Sequence, residues 1–424
     1  MTWGRRYQLR HAARTSLVLW AVASLAAALV CAPAVRWLDR ATGWGGFGYS
    51  PDGARAVLAA LAGSMLTLIV FVLSATLIVV QLASGQLTPR VIALVFAMPG
   101  VKVTLGLFTF TYAYTLSALG RVVEERVPDL HVSVAVFLNL LCIAVFFLFV
   151  QRLSSGLRPS TMVRLVADQT RRVIAQVYPL AFDPSRPGPA ADVQAAASPG
   201  DVVVSADRSG AVMAFSAAEL ARLARGAGAV VVLVPQVGDF VAVGDPLVRV
   251  TGGAGPVPSA ALRGCVAVGS ERTLEQDPRF GFRILVDIAN RALSPAINDP
   301  TTAVLALDQI ANLLLCLGRR HLDEGAVYDG DNKLRVVYGT PDWPDYVMLA
   351  VSEIRHYGEG SIQVYRRLKA MLVHLIRELP EARRPPLEAE LALLGRGVER
   401  GFRDEEDRKR AGVADHQGVG GSES

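Results

Sequence analysis

Apolar positions crowd the first third of the chain in four long runs, Thr15 to Val35, Ala56 to Leu82, Val103 to Leu119 and Val132 to Val150. A helix needs about 20 mostly apolar residues to cross the hydrocarbon core of a bilayer. The pattern therefore predicts a four-helix transmembrane domain over residues 1–152. The first run follows Arg5, Arg6, Arg10 and Arg14 as a secretory leader would. It is longer than a leader's apolar core and no small-residue cleavage site stands apart from it, so a retained helix is expected.

Beyond residue 152 the periodicity changes. A helix is predicted over Pro159–Tyr178, and a stretch rich in Pro, Gly and Ala from Pro184 to Gly200 closes a connecting segment, 153–200. Residues 201–270 read as β: Asp201–Ala206, Ala211–Phe215, Ala229–Pro235 and Pro246–Thr251 are short β-branched runs, with a helix at Ser216–Arg225 among them. Val237-Gly238-Asp239-Phe240-Val241-Ala242-Val243-Gly244-Asp245-Pro246-Leu247 carries two Gly-Asp turns around a short strand. It is similar to half of a barrel-sandwich domain of the biotinyl and lipoyl carrier type, but no Lys occupies the hairpin position that would carry a prosthetic group. A structural barrel without a cofactor is expected. Residues 271–403 read as a helical bundle. Phe280, Ile284, Leu285, Ile288 and Leu293 line one face, and Val304, Leu307, Ile310, Leu314 and Leu317 line another. Asp299-Pro300 has the cap-then-proline order of a helix start. Residues 404–424, charged and then Gly/Ser-rich, read as a disordered tail. The fold class expected is thus four transmembrane helices plus a cytoplasmic α+β region, a small β barrel-sandwich-like domain followed by a helical bundle.

The 424 residues are 52% hydrophobic with a mean hydropathy of +0.36, which fits a membrane protein. Of the net charge of +5, much comes from arginines beside the apolar runs, and no basic stripe is interleaved with aromatics, so nucleic acid is not an expected partner. Arg and Lys concentrate in the N-terminal tail, at Arg90 and Lys102, and after the fourth run from Arg152 to Arg172. The loop carrying Glu124, Glu125, Arg126 and Asp129 is acidic or balanced. Positive residues stay inside, so both termini are expected in the cytoplasm of a cell whose inner membrane holds the protein. Cys31, Cys142, Cys265 and Cys316 stand singly and predict buried free thiols, not a metal knuckle or redox pair.

The second run carries its polar residues in register. Ser64, Thr67, Ser74 and Gln81 recur at steps of three and seven, with Phe71 and Ile78 completing one seam and Ser84 and Gln86 beyond it. Hydroxyls on a membrane helix serve close packing between helices or line a wet path in which they replace part of an ion's hydration shell. The third run adds Thr104, Thr109, Thr111, Thr115 and Ser117. No ionisable residue lies near the middle of any run, which argues against a proton-coupled pump or a voltage sensor.

In the soluble part the densest polar cluster is Glu271, Arg272, Thr273, Gln276, Asp277, Arg283, Asp287, Asn290, Arg291, Asn298 and Asp299. The spacing of Arg283, Asp287 and Arg291 allows i,i+4 pairing. The same cluster supports either a salt-bridge ladder with a helix cap, or a small-anion pocket using Arg272 and Arg283. No nucleophile elbow, phosphate loop or zinc-protease motif occurs, so neither catalysis nor a metal is expected.

Two segments resemble a known family: Ser64-Met65-Leu66-Thr67 through Leu82-Ala83-Ser84-Gly85-Gln86-Leu87-Thr88-Pro89-Arg90, and Arg272-Thr273 with Gln276-Asp277 followed by Leu285 through Ala303, which contains Ser294-Pro295-Ala296-Ile297-Asn298-Asp299-Pro300. The chain resembles, over about residues 5–400, the bacterial membrane proteins called domain of unknown function 2254. Ala296 stands where that family has Gly, and Gly85 where it has Ser. The resemblance implies the membrane topology and supplies no substrate. The function expected is a homo-oligomeric passive channel for ions or small solutes with a cytoplasmic gating domain. The alternative is a membrane-anchored scaffold or sensor that binds a small anion or a partner protein.

Overall fold

A computed structural model describes residues 2–42, 44, 48–92, 99–122, 127–156, 158–185, 201–253, 255, 257–322 and 325–419. The loop charges Glu124, Glu125 and Arg126, and most of the expected linker, lie outside the described residues. The chain divides into two compact units, His11–Arg158 and a second made of Met1–Arg10 with Pro159–Ser424.

Helix α1 (Trp3–Thr15) runs from one unit into the other, and α2 (Leu17–Thr42), α3 (Pro51–Gln86), α4 (Pro99–Leu119) and α5 (Asp129–Gly156) follow. Each expected membrane run is thus helical. Ser50 starts α3 by accepting from the Gly53 amide at 3.2 Å, with Pro51 at the first position. Helix α4 is the axis of this unit and packs against α2, α3 and α5. A Cβ on Gly106 would come 2.9 Å from Ser24 Oγ, so the glycine sets how closely α4 and α2 approach.

Among the described residues four helices are long and apolar enough to cross a membrane: Leu17–Thr42, Pro51–Gly85, Asp129–Leu153 and Pro300–Gly318. That set differs from the expected one. Helix α4, the third expected span, is diluted by Lys102, its threonines and Tyr112 and Tyr114, which suit a helix enclosed by its neighbours. Pro300–Gly318 qualifies by composition but has 56% of its apolar window buried within its own unit, against 11%, 22% and 28% for the others. It reads as a core helix of its own unit.

The second unit begins with amphipathic α6 (Pro159–Val177), which buries Met162, Val163, Val166, Ala167, Thr170, Val173 and Ile174 on one face. Strands β1 (Val202–Ser205), β2 (Gly210–Phe215), β3 (Val230–Leu233), β4 (Phe240–Val241), β5 (Pro246–Thr251) and β6 (Val266–Gly269) follow, with α7 (Ala217–Ala227), capped by Ser216 and ended by left-handed Gly228, between β2 and β3 in the chain. Both Gly-Asp turns form, with φ of 96° at Gly238 and 94° at Gly244. Their carboxylates accept from preceding amides, Gln236 N to Asp239 and Ala242 N to Asp245, both at 2.8 Å.

A separate β domain ending at residue 270 does not form. The strands make a five-stranded mixed sheet, β1-β5-β3-β8-β7, and a three-stranded antiparallel sheet, β4-β2-β6. Strands β7 (Ala326–Tyr328) and β8 (Leu334–Tyr338) come from the region expected to be wholly helical, and β8 pairs parallel with β3, Leu233 opposite Tyr338. Their signal was the turn Asp329-Gly330-Asp331-Asn332, where Asn332 takes φ of 56°.

Asp329 organises that hairpin. It accepts from Arg335 Nε at 2.6 Å and from the amides of Asp331 and Lys333 at 3.0 Å, and its side chain is 1% exposed. These bonds to the carboxylate hold its pKa down to about 2. A depressed acid stabilises the fold above its unfolded value and loses that effect as pH falls. Asp329→Asn is therefore expected to lower stability at pH 7 and to flatten the loss of stability between about pH 4 and pH 2, read from thermal unfolding midpoints across that range.

Helices α8 (Pro278–Ala292), α9 (Pro300–Gly318), α10 (Trp343–Tyr357), α11 (Ile362–Glu378) and α12 (Arg384–Gly401) pack beside the sheets. The tail expected to be disordered instead forms α13 (Glu405–Ala411). Asp404 caps it, Lys409 and Arg410 pair with Glu405 and Glu406 one turn back, and Ala411 is buried. Asp415, 2% exposed, then accepts from the amides of Gln417 and Gly418. Residues 420–424 lie outside the described residues.

Candidate functional site

Helix α3 buries Ala54, Leu58, Ala62, Met65, Val72, Thr76, Val79 and Ala83 toward its neighbours. That face fixes the opposite one. Ser64, Thr67, Phe71, Ser74, Ile78 and Gln81 are all exposed. Ser64 and Thr67 return their hydroxyls to the carbonyls of Leu61 and Gly63, at 2.9 and 3.1 Å, which spares each a bare donor in hydrocarbon. Phe71 leans edge-on against Phe146 of α5 at 5.4 Å. Ser84 is half-buried, and the Gln86 side chain lies outside the described residues.

The other outward faces contrast with this seam. The exposed positions of α2 from Val18 to Ala34 and of α5 from Phe137 to Val150 are apolar, counting Cys31 among them. Cys31 is thus exposed rather than buried, because it shares the lipid-suited face with Val30. Cys265 is buried as expected, and burial pushes its thiol up to about 11.

The threonines of α4 turn inward. Thr104, Thr111 and Thr115 are buried, while Thr109 and Ser117 are half-buried. Asn139 of α5, which the sequence reading passed over, donates to Thr115 Oγ1 at 3.1 Å and to the Ala135 carbonyl at 2.8 Å. Cys142 Sγ lies 3.2 Å from Thr111 Oγ1. An asparagine in the fourth apolar run was the available signal. This polar set glues α4 to α5.

In the second unit the polar cluster separates into three structural groups. Arg272 donates to Asp277 at 2.9 Å and lies across Gly238, where a Cβ would meet its guanidinium. Asp277, 3% exposed, also caps α8 by accepting from the Phe280 amide at 3.1 Å. Burial raises its pKa, and Arg272 opposes the shift. Gln276 spends its amide on the Phe215 backbone, accepting at 3.0 Å and donating at 3.2 Å. Arg283 bonds Asp287 at 2.7 Å and, through both terminal nitrogens, Glu353 at 2.5 and 2.7 Å; Asn290 joins Glu353 at 2.9 Å. Asp299 caps α9 through Thr302, after Asn298 in the left-handed region. Glu353 could not be found locally, since it arrives from α10, 70 residues further on. Arg291 takes part in interactions of its own. Arg272 and Arg283 therefore do not converge on one anion pocket. Among the described residues no group of His, Cys, Asp and Glu suits a metal.

Long apolar helices with one polar outward seam, attached to a mixed α/β unit, define a membrane protein with several candidate spans. The chain belongs to the family described as predicted membrane protein, domain of unknown function 2254, whose model matches residues 14–374. It is 31% identical over 377 residues to uncharacterized proteins of Mycobacterium bovis and Mycobacterium tuberculosis, covering 85% of this chain and 71% of each relative. No solved structure matches it.

Proposed function

We propose that the protein forms a homo-oligomer in the inner membrane in which copies of α3 face one another along Ser64, Thr67, Phe71, Ser74, Ile78 and Gln81, enclosing a narrow passive path for ions or small solutes. The observation that carries this reading is the exposure of all six residues on a protomer whose other outward faces are apolar. Their three-and-four spacing is that of a helix–helix seam, and hydroxyls and an amide offer oxygen to a partly dehydrated ion without a fixed charge. The alternative, anion sensing at Arg272 and Arg283, loses support because both arginines already hold carboxylates.

The N-terminal segment supports four crossings. Gly4 N bonds the Gly264 carbonyl at 2.8 Å, Gln8 bonds the Val268 carbonyl at 2.8 Å and Tyr7 bonds Thr273 at 3.2 Å, so residues before His11 belong to the same unit as those after Pro159. An even number of crossings must separate them. Helices α2, α3, α4 and α5 satisfy this with α9 left in the soluble core, and the basic flanks favour both termini in the cytoplasm.

Single cysteines at Ser64, Thr67, Ser74 and Gln81, in a chain lacking its own four, are expected to react with membrane-impermeant thiol reagents and to crosslink between copies. Cysteines at Leu68 and Ala75 should stay protected. Uniform protection, together with liposomes that pass no cation, anion or osmolyte, would remove the basis of the path.

A further inference from the structure

Within the second unit, a cavity of about 350 Å³ opens where β2, β8, the C-terminal end of α6 and the N-terminal ends of α8 and α10 meet. Its size falls within the range that holds small ligands. Aromatic rings form much of its wall. Phe215 and Tyr338 come from the two different sheets, their ring centroids 4.8 Å apart and tilted by 60°, and Tyr346 closes another side, its hydroxyl 3.0 Å from that of Tyr178.

The polar lining is uneven. Arg279 is the cavity's cation, and its Nη1 donates to Gln236 Oε1 at 3.3 Å. Among the described residues no carboxylate pairs with it, whereas the neighbouring Arg272 and Arg283 are both engaged. A half-buried guanidinium held by a neutral amide keeps most of its donor fork for a planar acceptor. Two acids also line the cavity. Asp277 belongs to Arg272 and the α8 cap, and Glu275 has interactions of its own. With Asp277 held by Arg272, Arg279 is the cation left to a ligand, and it can match one negative charge but not the second charge of a dianion such as a phosphate monoester.

We infer that this cavity binds a small aromatic monocarboxylate, its ring against Phe215, Tyr338 and Tyr346 and its carboxylate on Arg279. The site stands apart from the α3 path, so failure of either reading leaves the other intact.

The test is isothermal titration of the full-length protein in detergent with phenylacetate, indole-3-acetate, L-phenylalanine and L-tryptophan, against benzyl alcohol and adenosine 5′-monophosphate. At least one carboxylate should bind with millimolar or tighter affinity, and more tightly than benzyl alcohol or the nucleotide. Arg279→Gln should weaken that binding at least tenfold with an unchanged unfolding midpoint, and Tyr338→Ala should weaken it as well. Arg279→Lys provides a second variant that keeps the charge and loses the planar fork, and should bind more weakly than the parent. The site is overturned by any of three results: no carboxylate binds, the Arg279 variants bind as the parent does, or the nucleotide binds best.

Discussion

Replacing Gly281 with valine is expected to destabilise the second unit by about 3 kcal/mol, toward the upper end of overpacking penalties. Gly281 lies on the buried face of α8, and a Cβ there would overlap the side chain of Thr170 on α6. Thr170 has little freedom to retreat, because it is fully buried and its hydroxyl is bonded to the Val166 carbonyl at 2.7 Å. The two helices would have to separate, and the whole contact between α6 and α8 would loosen. For a unit of this size the penalty corresponds to a fall of roughly 10 °C in the unfolding midpoint. Scanning fluorimetry of the detergent-solubilised chain reads this directly, and Thr170→Ala in the same chain should recover part of the loss by making room.

Arg283→Ala should cost about 2 kcal/mol, less than a fully buried pair because the side chain keeps 27% of its exposure. Its removal leaves Asp287 and Glu353 facing the same space without their shared cation. A double-mutant cycle with Glu353→Ala should show a coupling of about 1 kcal/mol, since deleting both partners relieves the repulsion left by deleting one. Phosphate or sulfate should not stabilise the parent relative to Arg283→Ala beyond a general salt effect. A specific gain in the parent would revive the residue as an anion receptor.

What the amino-acid pattern reveals depends on how local its cause is. The runs that became α2, α3 and α5 were legible because a bilayer-suited helix announces itself by length and apolarity. The cap at Asp299 was legible because cap and first turn are neighbours in the chain. The seam on α3 was also legible, since helical spacing is a property of one segment. Strands β7 and β8 escaped because three- and five-residue strands carry little periodicity, and β8 is defined by a partner far upstream. The pairing of Arg283 with Glu353 escaped for the same reason. The order in the C-terminal tail was hidden by composition: a charged, Gly-rich stretch looks unable to fold, yet Asp404, Asp415 and the buried Ala411 tie it down.

The parallel pairing of β3 with β8 also sets an order of events during synthesis. Leu233 leaves the ribosome roughly a hundred residues before Tyr338, its neighbour in the finished sheet. At about 5–20 residues per second, one side of β3 waits on the order of five to twenty seconds with its amides and carbonyls unsatisfied. An open edge in a nascent chain invites pairing with another chain, and long-range closure of this kind slows folding. Chains truncated near residue 320 keep that edge permanently open and should aggregate, whereas chains that run past Tyr338 supply the strand that seals it.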